Sequence, residues 1–159
     1  MRLYIRIKLV TIISMIFICG GMKTIAQNTN PHYDKALADS LGGDDYGMKM
    51  YVLVILKTGT ANITEKAKVD SLFAGHMRNI NRLVDMGKLV VAGPLRKNDK
   101  AYRGIFILNV TTFEEAKKLM EEDPAITSGM LDTDLFHWYG SSALKMYLPF
   151  SEKVGKNNF

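Results

Sequence analysis

The chain has 159 residues, with 21 Lys+Arg against 16 Asp+Glu, a formal charge of +5 and one cysteine. The basic excess is concentrated at one end: Arg2, Arg6, Lys8 and Lys23 lie within the first 26 residues, and without them 17 basic residues face 16 acidic ones. A nearly neutral remainder lacks the basic face that nucleic acid demands. Without Cys19 it also has no disulfide, thiolate nucleophile or thiolate metal site.

The basic residues precede an apolar run, Leu9–Met22, and Thr24-Ile25-Ala26 then offers a small residue before Gln27. This order of basic, apolar and small-residue regions predicts a secretory signal peptide over residues 1–26. The apolar run is short for a membrane span and no second one follows. The expectation is therefore an exported product, periplasmic or secreted, with no stable membrane anchor after cleavage. An uncleaved N-terminal anchor is the competing reading. A lipoprotein is disfavoured because Phe17 and Ile18, not small residues, precede Cys19. Removing 26 of 159 residues leaves 133, enough for one domain with a real core.

Residues 27–47 read as an N-terminal extension. Asn30-Pro31 suggests a helix start, Tyr33–Leu41 a short helix and Gly42-Gly43 its stop. Gly43–Gly47 reads as a turn, since its paired aspartates lack the remaining spacing of a calcium loop.

Residues 48–140 carry the pattern of an α+β domain. The β-branched, apolar run Tyr51–Leu56 predicts a strand, and Lys57–Lys66 a loop. Across Val69–Gly87, residues Val69, Leu72, Phe73, Met77, Ile80, Leu83, Val84 and Gly87 share one helical arc. Asp70, Ser71, Arg78, Asn81, Arg82 and Asp85 lie opposite, as on a surface helix packed against a core. Leu89–Ala92 is a second strand ended by Gly93-Pro94, Lys97–Lys100 a charged hairpin loop, and Arg103–Val110 a third strand. Thr112-Phe113-Glu114-Glu115 is a capping box opening a helix to Glu122. Asp123-Pro124 then places an N-cap and an N1 proline before a brief helical turn, and Leu131–Tyr139 is the last strand. Residues 141–159 form a C-terminal tail. The order βαββαβ is the split β-α-β pattern of ferredoxin-like folds with an antiparallel sheet.

Both alternating sets of residues are apolar in Tyr51–Leu56 and Ile105–Leu108, although two helices cover only one face of such a sheet. A second copy of the same sheet is the simplest cover, so a homodimer is expected. The alternative is that the N-terminal helix or the segment Leu144–Phe150 lies over that face.

Chemistry points first to His76, which sits near the centre of the apolar arc. An imidazole buried there needs a hydrogen-bond partner, because leaving it unpaired costs about 1–3 kcal/mol. It is either a satisfied core residue bonded to a backbone carbonyl or a general acid–base in a pocket. Asp123 reads by itself as a helix cap whose carboxylate is occupied by backbone amides. Gly93-Pro94 terminates a strand or shapes a pocket rim, and Arg103 is solvated or holds an anion. His137 and His32 join no metal-ligand spacing. No GxGxxG, GxxxxGK[ST] or GxSxG motif occurs.

With His76, the run Gly87–Leu95 (Gly-Lys-Leu-Val-Val-Ala-Gly-Pro-Leu), Arg103-Gly104, Glu114-Glu115-Ala116 and Asp123-Pro124 in this order, the chain resembles the YCII-related family. The resemblance extends from about Met50 to Trp138. It implies a ferredoxin-like fold pairing as a dimeric α+β barrel. It also implies a pocket between helix and sheet where His76 and Asp123 match the family's proposed acid–base pair, with no cofactor. Relatives include a dehalogenase acting on chlorinated muconolactones. Two departures stand out. Many members carry Arg three residues before the histidine, where this chain has Phe73, which argues against a carboxylate substrate. Many carry an aromatic after Asp-Pro, where this chain has Ala125, which should open or reshape the pocket. The expectation is a lyase, isomerase or dehalogenase type of proton shuttle on a small organic molecule; the alternatives are a non-catalytic small-molecule-binding module and a structural protein.

Overall fold

The computed structural model describes residues 30–156, so the expected signal peptide over 1–26 lies outside the described residues. The chain divides into two units, Met1–Asp34 and Lys35–Phe159. In the first, the Asn30 carbonyl accepts from the Tyr33 N–H and its side chain from the His32 N–H, which makes Asn30-Pro31 a turn. The helix expected from Tyr33 is α1, Lys35–Leu41, closed by Gly42 at φ 72°.

From there the second unit runs β1 (Met48–Thr58), α2 (Lys66–Asp85), β2 (Leu89–Pro94), β3 (Tyr102–Leu108), α3 (Phe113–Met120), α4 (Pro124–Thr127) and β4 (Leu131–Ser141). A 3-10 turn, Ser142–Tyr147, and a last helix, α5 (Leu148–Val154), follow. The four strands form one antiparallel sheet in the order β2-β3-β1-β4. This α+β arrangement is the ferredoxin-like βαββαβ fold. Between α1 and β1 the Asp44 carboxylate accepts from the backbone N–H groups of Tyr46 and Met48, so Asp44 organises a turn. Strands β1 and β4 outrun their apolar patterns because their polar ends also pair: Lys57 Nζ reaches Asp134 at 2.6 Å and Asp132 at 3.4 Å.

The register assigns the two faces. Val52, Val54 and Leu56 pair with Leu108, Phe106 and Gly104 beneath the helices, forming the main core with Leu83 of α2 and Leu119 of α3. Ala125, where many family members carry an aromatic, is fully buried in this same core. On the other face Tyr51, Val90 and Ile107 are buried with Leu53, Val91, Trp138 and Leu144. Leu144 comes from the 3-10 turn, and the Tyr147 hydroxyl in the same turn donates to the Val90 carbonyl. The C-terminal segment therefore covers part of the second face. The rest stays open, with Leu53 and Ile55 only half-buried and Phe136 51% exposed.

The contact that positions the site is between α2 and α4. A Cβ at Gly75 would lie 2.3 Å from Pro124 Cγ, so only glycine lets the turn that carries Asp123 seat directly against α2.

Candidate functional site

His76 projects inward from the middle of α2 and is 6% exposed. Its ring stacks on Phe106 of β3, with centroids 5.8 Å apart, and meets Phe73 edge-on at 6.3 Å. Phe73 is itself 41% exposed, so it forms an apolar wall at the surface and is not part of the core proper.

Asp123, fully buried, begins α4. One carboxylate oxygen, Oδ1, accepts from the Ala125 N–H at 3.0 Å, which is the helix cap expected of Asp-Pro. The other, Oδ2, lies 2.7 Å from His76 Nδ1 and accepts from Asn79 Nδ2 at 3.2 Å. The cap and the partner of the imidazole are thus the same side chain. Burial pushes this carboxyl group up, but the hydrogen bonds and charge of His76, with those from Asn79 and Ala125, outweigh it and hold Asp123 below its ordinary value.

An ionised carboxylate only accepts, so Nδ1 is the ring nitrogen that carries the proton. When the ring is uncharged, its lone pair is on Nε2. Among the described residues no fully buried side-chain nitrogen or oxygen lacks a partner, and Nε2 makes no hydrogen bond; the small exposure His76 retains therefore includes this atom. The nearby sheet edge is open. Ala92 and Pro94 of β2 pair with Phe106 and Gly104 on the helix side, and both are exposed. Gly104 is needed for this edge to close up, because a Cβ there would sit 2.8 Å from the Gly93 carbonyl oxygen.

The other candidates do not converge on this pair. Arg103 is exposed on β3, and His137 stacks on Phe113 with centroids 4.1 Å apart. Among the described residues no group of three or more His, Cys, Asp or Glu stands close enough to hold a metal ion. Two residues escaped the reading of the sequence. Asn79, 4% exposed, is the third member of the buried polar cluster, and Arg82 binds it: Nε and Nη2 reach Asn79 Oδ1 at 3.1 and 2.8 Å. The signal that finds them is the spacing His76–Asn79–Arg82, which sets three polar residues in one i, i+3 row.

The fold and site together define a ferredoxin-like α+β domain with a buried His–carboxylate pair between helix and sheet. This chain belongs to the YCII-related family, whose domain model matches residues 50–138. No curated protein matches it. Among solved structures it is similar to the 5-chloro-2-hydroxyhydroquinone dehydrochlorinase of Burkholderia phenoliruptrix AC1100 in complex with 2,5-dihydroxybenzoquinone. The two share 21% identity over 55% of this chain and 92% of that one, with a TM-score of 0.39.

Proposed function

We propose that this YCII-related protein is a cofactor-free enzyme of the lyase, isomerase or dehalogenase type, in which His76 Nε2 moves a proton on a small organic molecule. The observation that carries the reading is the Asp123 Oδ2 to His76 Nδ1 contact at 2.7 Å, which fixes the ring and leaves Nε2 as a base facing the surface. In an elimination Nε2 takes the proton from carbon as the leaving group departs with the bonding pair; in an isomerisation the imidazolium returns the proton to another carbon. Asp123 stabilises that imidazolium without taking the proton itself. The surroundings favour a neutral or weakly polar substrate, because Phe73, Phe106, Ala92 and Pro94 are apolar and no guanidinium stands at position 73. Screening the purified protein against small lactones and organic acids, with His76→Asn as the control, tests the reading. Turnover that survives the substitution undiminished overturns it.

The protein acts as a homodimer through the part of the sheet that the 3-10 turn leaves open. Half-buried Leu53 and Ile55 beside exposed Phe136 support this, since an apolar strip in the middle of a sheet is costly to leave in water. Light scattering at micromolar concentration should give twice the chain mass, and Phe136→Glu should shift it toward monomer. A monomeric wild-type protein would leave the C-terminal segment as the sole cover.

The protein is exported and cut between Ala26 and Gln27; the order of basic, apolar and small-residue segments supports this. Mass spectrometry of the protein from its native host should find an N-terminus at Gln27, and an intact Met1 would refute cleavage.

A further inference from the structure

An open cleft of about 320 Å³ lies on the outer side of the α2–α4 contact, lined by Gly75, Arg78, Asn79, Arg82, Glu122 and Pro124. Asn79 lines this cleft and also donates to Asp123 of the buried pair. We infer that Asn79 and Arg82 are positioning residues for His76 and Asp123: Arg82 dictates which way the Asn79 amide points, and Asn79 thereby sets how strongly Asp123 holds the imidazole. The inference rests on the reading of His76 as the proton-moving group.

A side-chain amide has two ends of similar shape and opposite polarity, so a buried asparagine is oriented only by its partners. Here both defining bonds on Oδ1 come from one guanidinium, through Nε at 3.1 Å and Nη2 at 2.8 Å. Such a two-pronged charged donor admits an oxygen and rejects an NH2 group. The amide nitrogen is thereby turned toward Asp123 Oδ2, the same oxygen that accepts the hydrogen bond from His76 Nδ1–H. Arg82 is fixed in turn by the Leu119 carbonyl at the end of α3 and by Glu122, whose carboxylate lies 3.4 Å from Nη1. With the amide reversed, its oxygen would face the carboxylate and the pair would lose a donor and gain a repulsion.

Asn79 and His76 share one acceptor atom, so they compete for it. Removing the amide donor concentrates the charge of Oδ2 on the imidazole bond, while removing Arg82 frees the amide to turn. Both changes act on one proton, the Nδ1–H of His76, and neither touches the ring. A purely structural role for Arg82, tying α2 to the end of α3, would not move that proton.

The test is nuclear magnetic resonance of the 15N-labelled full chain, without any substrate. Wild-type protein should show His76 in its Nδ1–H tautomer, with a low-field Nδ1 proton and an Asn79 side-chain amide protected from exchange. In Arg82→Met the Asn79 amide should exchange about tenfold faster or more, the scale of a lost hydrogen bond to a charged group. The Nδ1 proton should move further downfield, as it should in Asn79→Leu. Arg82→Lys, which restores one cationic donor, should return both signals part of the way and serves as the readout if Arg82→Met is poorly folded. Unchanged His76 and Asn79 signals in a folded Arg82 variant overturn the inference. A dispensable His76 in turnover would overturn the acid–base reading while leaving these spectra as they are, so the two failures are distinct.

Discussion

His76→Asn should fold and lose turnover by about 10²-fold or more, the usual scale of a positioned acid–base group. The amide keeps a donor for Asp123 Oδ2 at similar volume, so the buried carboxylate stays paired and α4 stays capped. What disappears is the second ring nitrogen, the one atom of the cluster that combines a lone pair with access to the surface. His76→Leu separates chemistry from packing. It leaves a buried carboxylate with only the Asn79 and Ala125 donors and should destabilise the protein by several kcal/mol, because breaking one side of a buried ion-paired contact costs about 3–5 kcal/mol. Thermal melts of both variants beside turnover on a discovered substrate decide the matter. A stable His76→Leu protein with full activity would end the acid–base reading, and equal destabilisation by both changes would mark His76 as structural.

The second large effect is expected at Asp123. Asp123→Ala removes three accepted bonds at once, from His76, Asn79 and the Ala125 N–H. The buried donors are left without a partner and α4 without its cap, so urea unfolding should show a loss of about 3–5 kcal/mol, with about 1 kcal/mol of cap free energy within it. Asp123→Asn should be milder, since asparagine also caps helices well, but it removes the charge that holds Nδ1–H in place and should reduce turnover. The pH dependence has a definite sign. A carboxyl group held below its ordinary value in the folded state contributes stability that is complete above the unfolded value, near pH 4, and is lost as pH falls through the folded value. The gap in stability between wild type and Asp123→Asn should therefore be constant near neutrality and shrink on strong acidification. A gap that widens there would contradict an ionised Asp123.

The element order was legible in the sequence because its signals are local. Thr112 and Asp123 cap the helices they introduce, Gly42 closes α1, and the strand runs are bounded by turn residues. The depth of His76 was legible from helical period alone. Its partner was not, because the residues that meet at the site are 47 positions apart and no periodicity links them. Only the family pattern brought His76 and Asp123 together, and the helix cap does not use up the carboxylate, since Oδ1 caps α4 while Oδ2 meets the imidazole. The role of Arg82 was hidden because projection follows the Cα position, while its long, half-exposed side chain folds back along the helix to reach Asn79. The cover on the second sheet face was half hidden for a similar reason. The apolar residues of Ser142–Tyr147 follow no strand or long-helix period, and their docking on Val90 emerges only in three dimensions.

The double duty of Asp123 bears on how this lineage records its own history. A buried carboxylate at the start of α4 caps that helix, but it also needs the imidazole beside it to stay paired. His76 is tied to that carboxylate, because an apolar residue beside Phe106 becomes acceptable only once Asp123 is replaced by another cap such as Ser or Asn. Relatives in which the proposed proton transfer is not used should therefore shed the histidine and exchange the aspartate for a neutral cap together. A sequence keeping Asp-Pro without the histidine would be the unstable intermediate, and such sequences should be scarce.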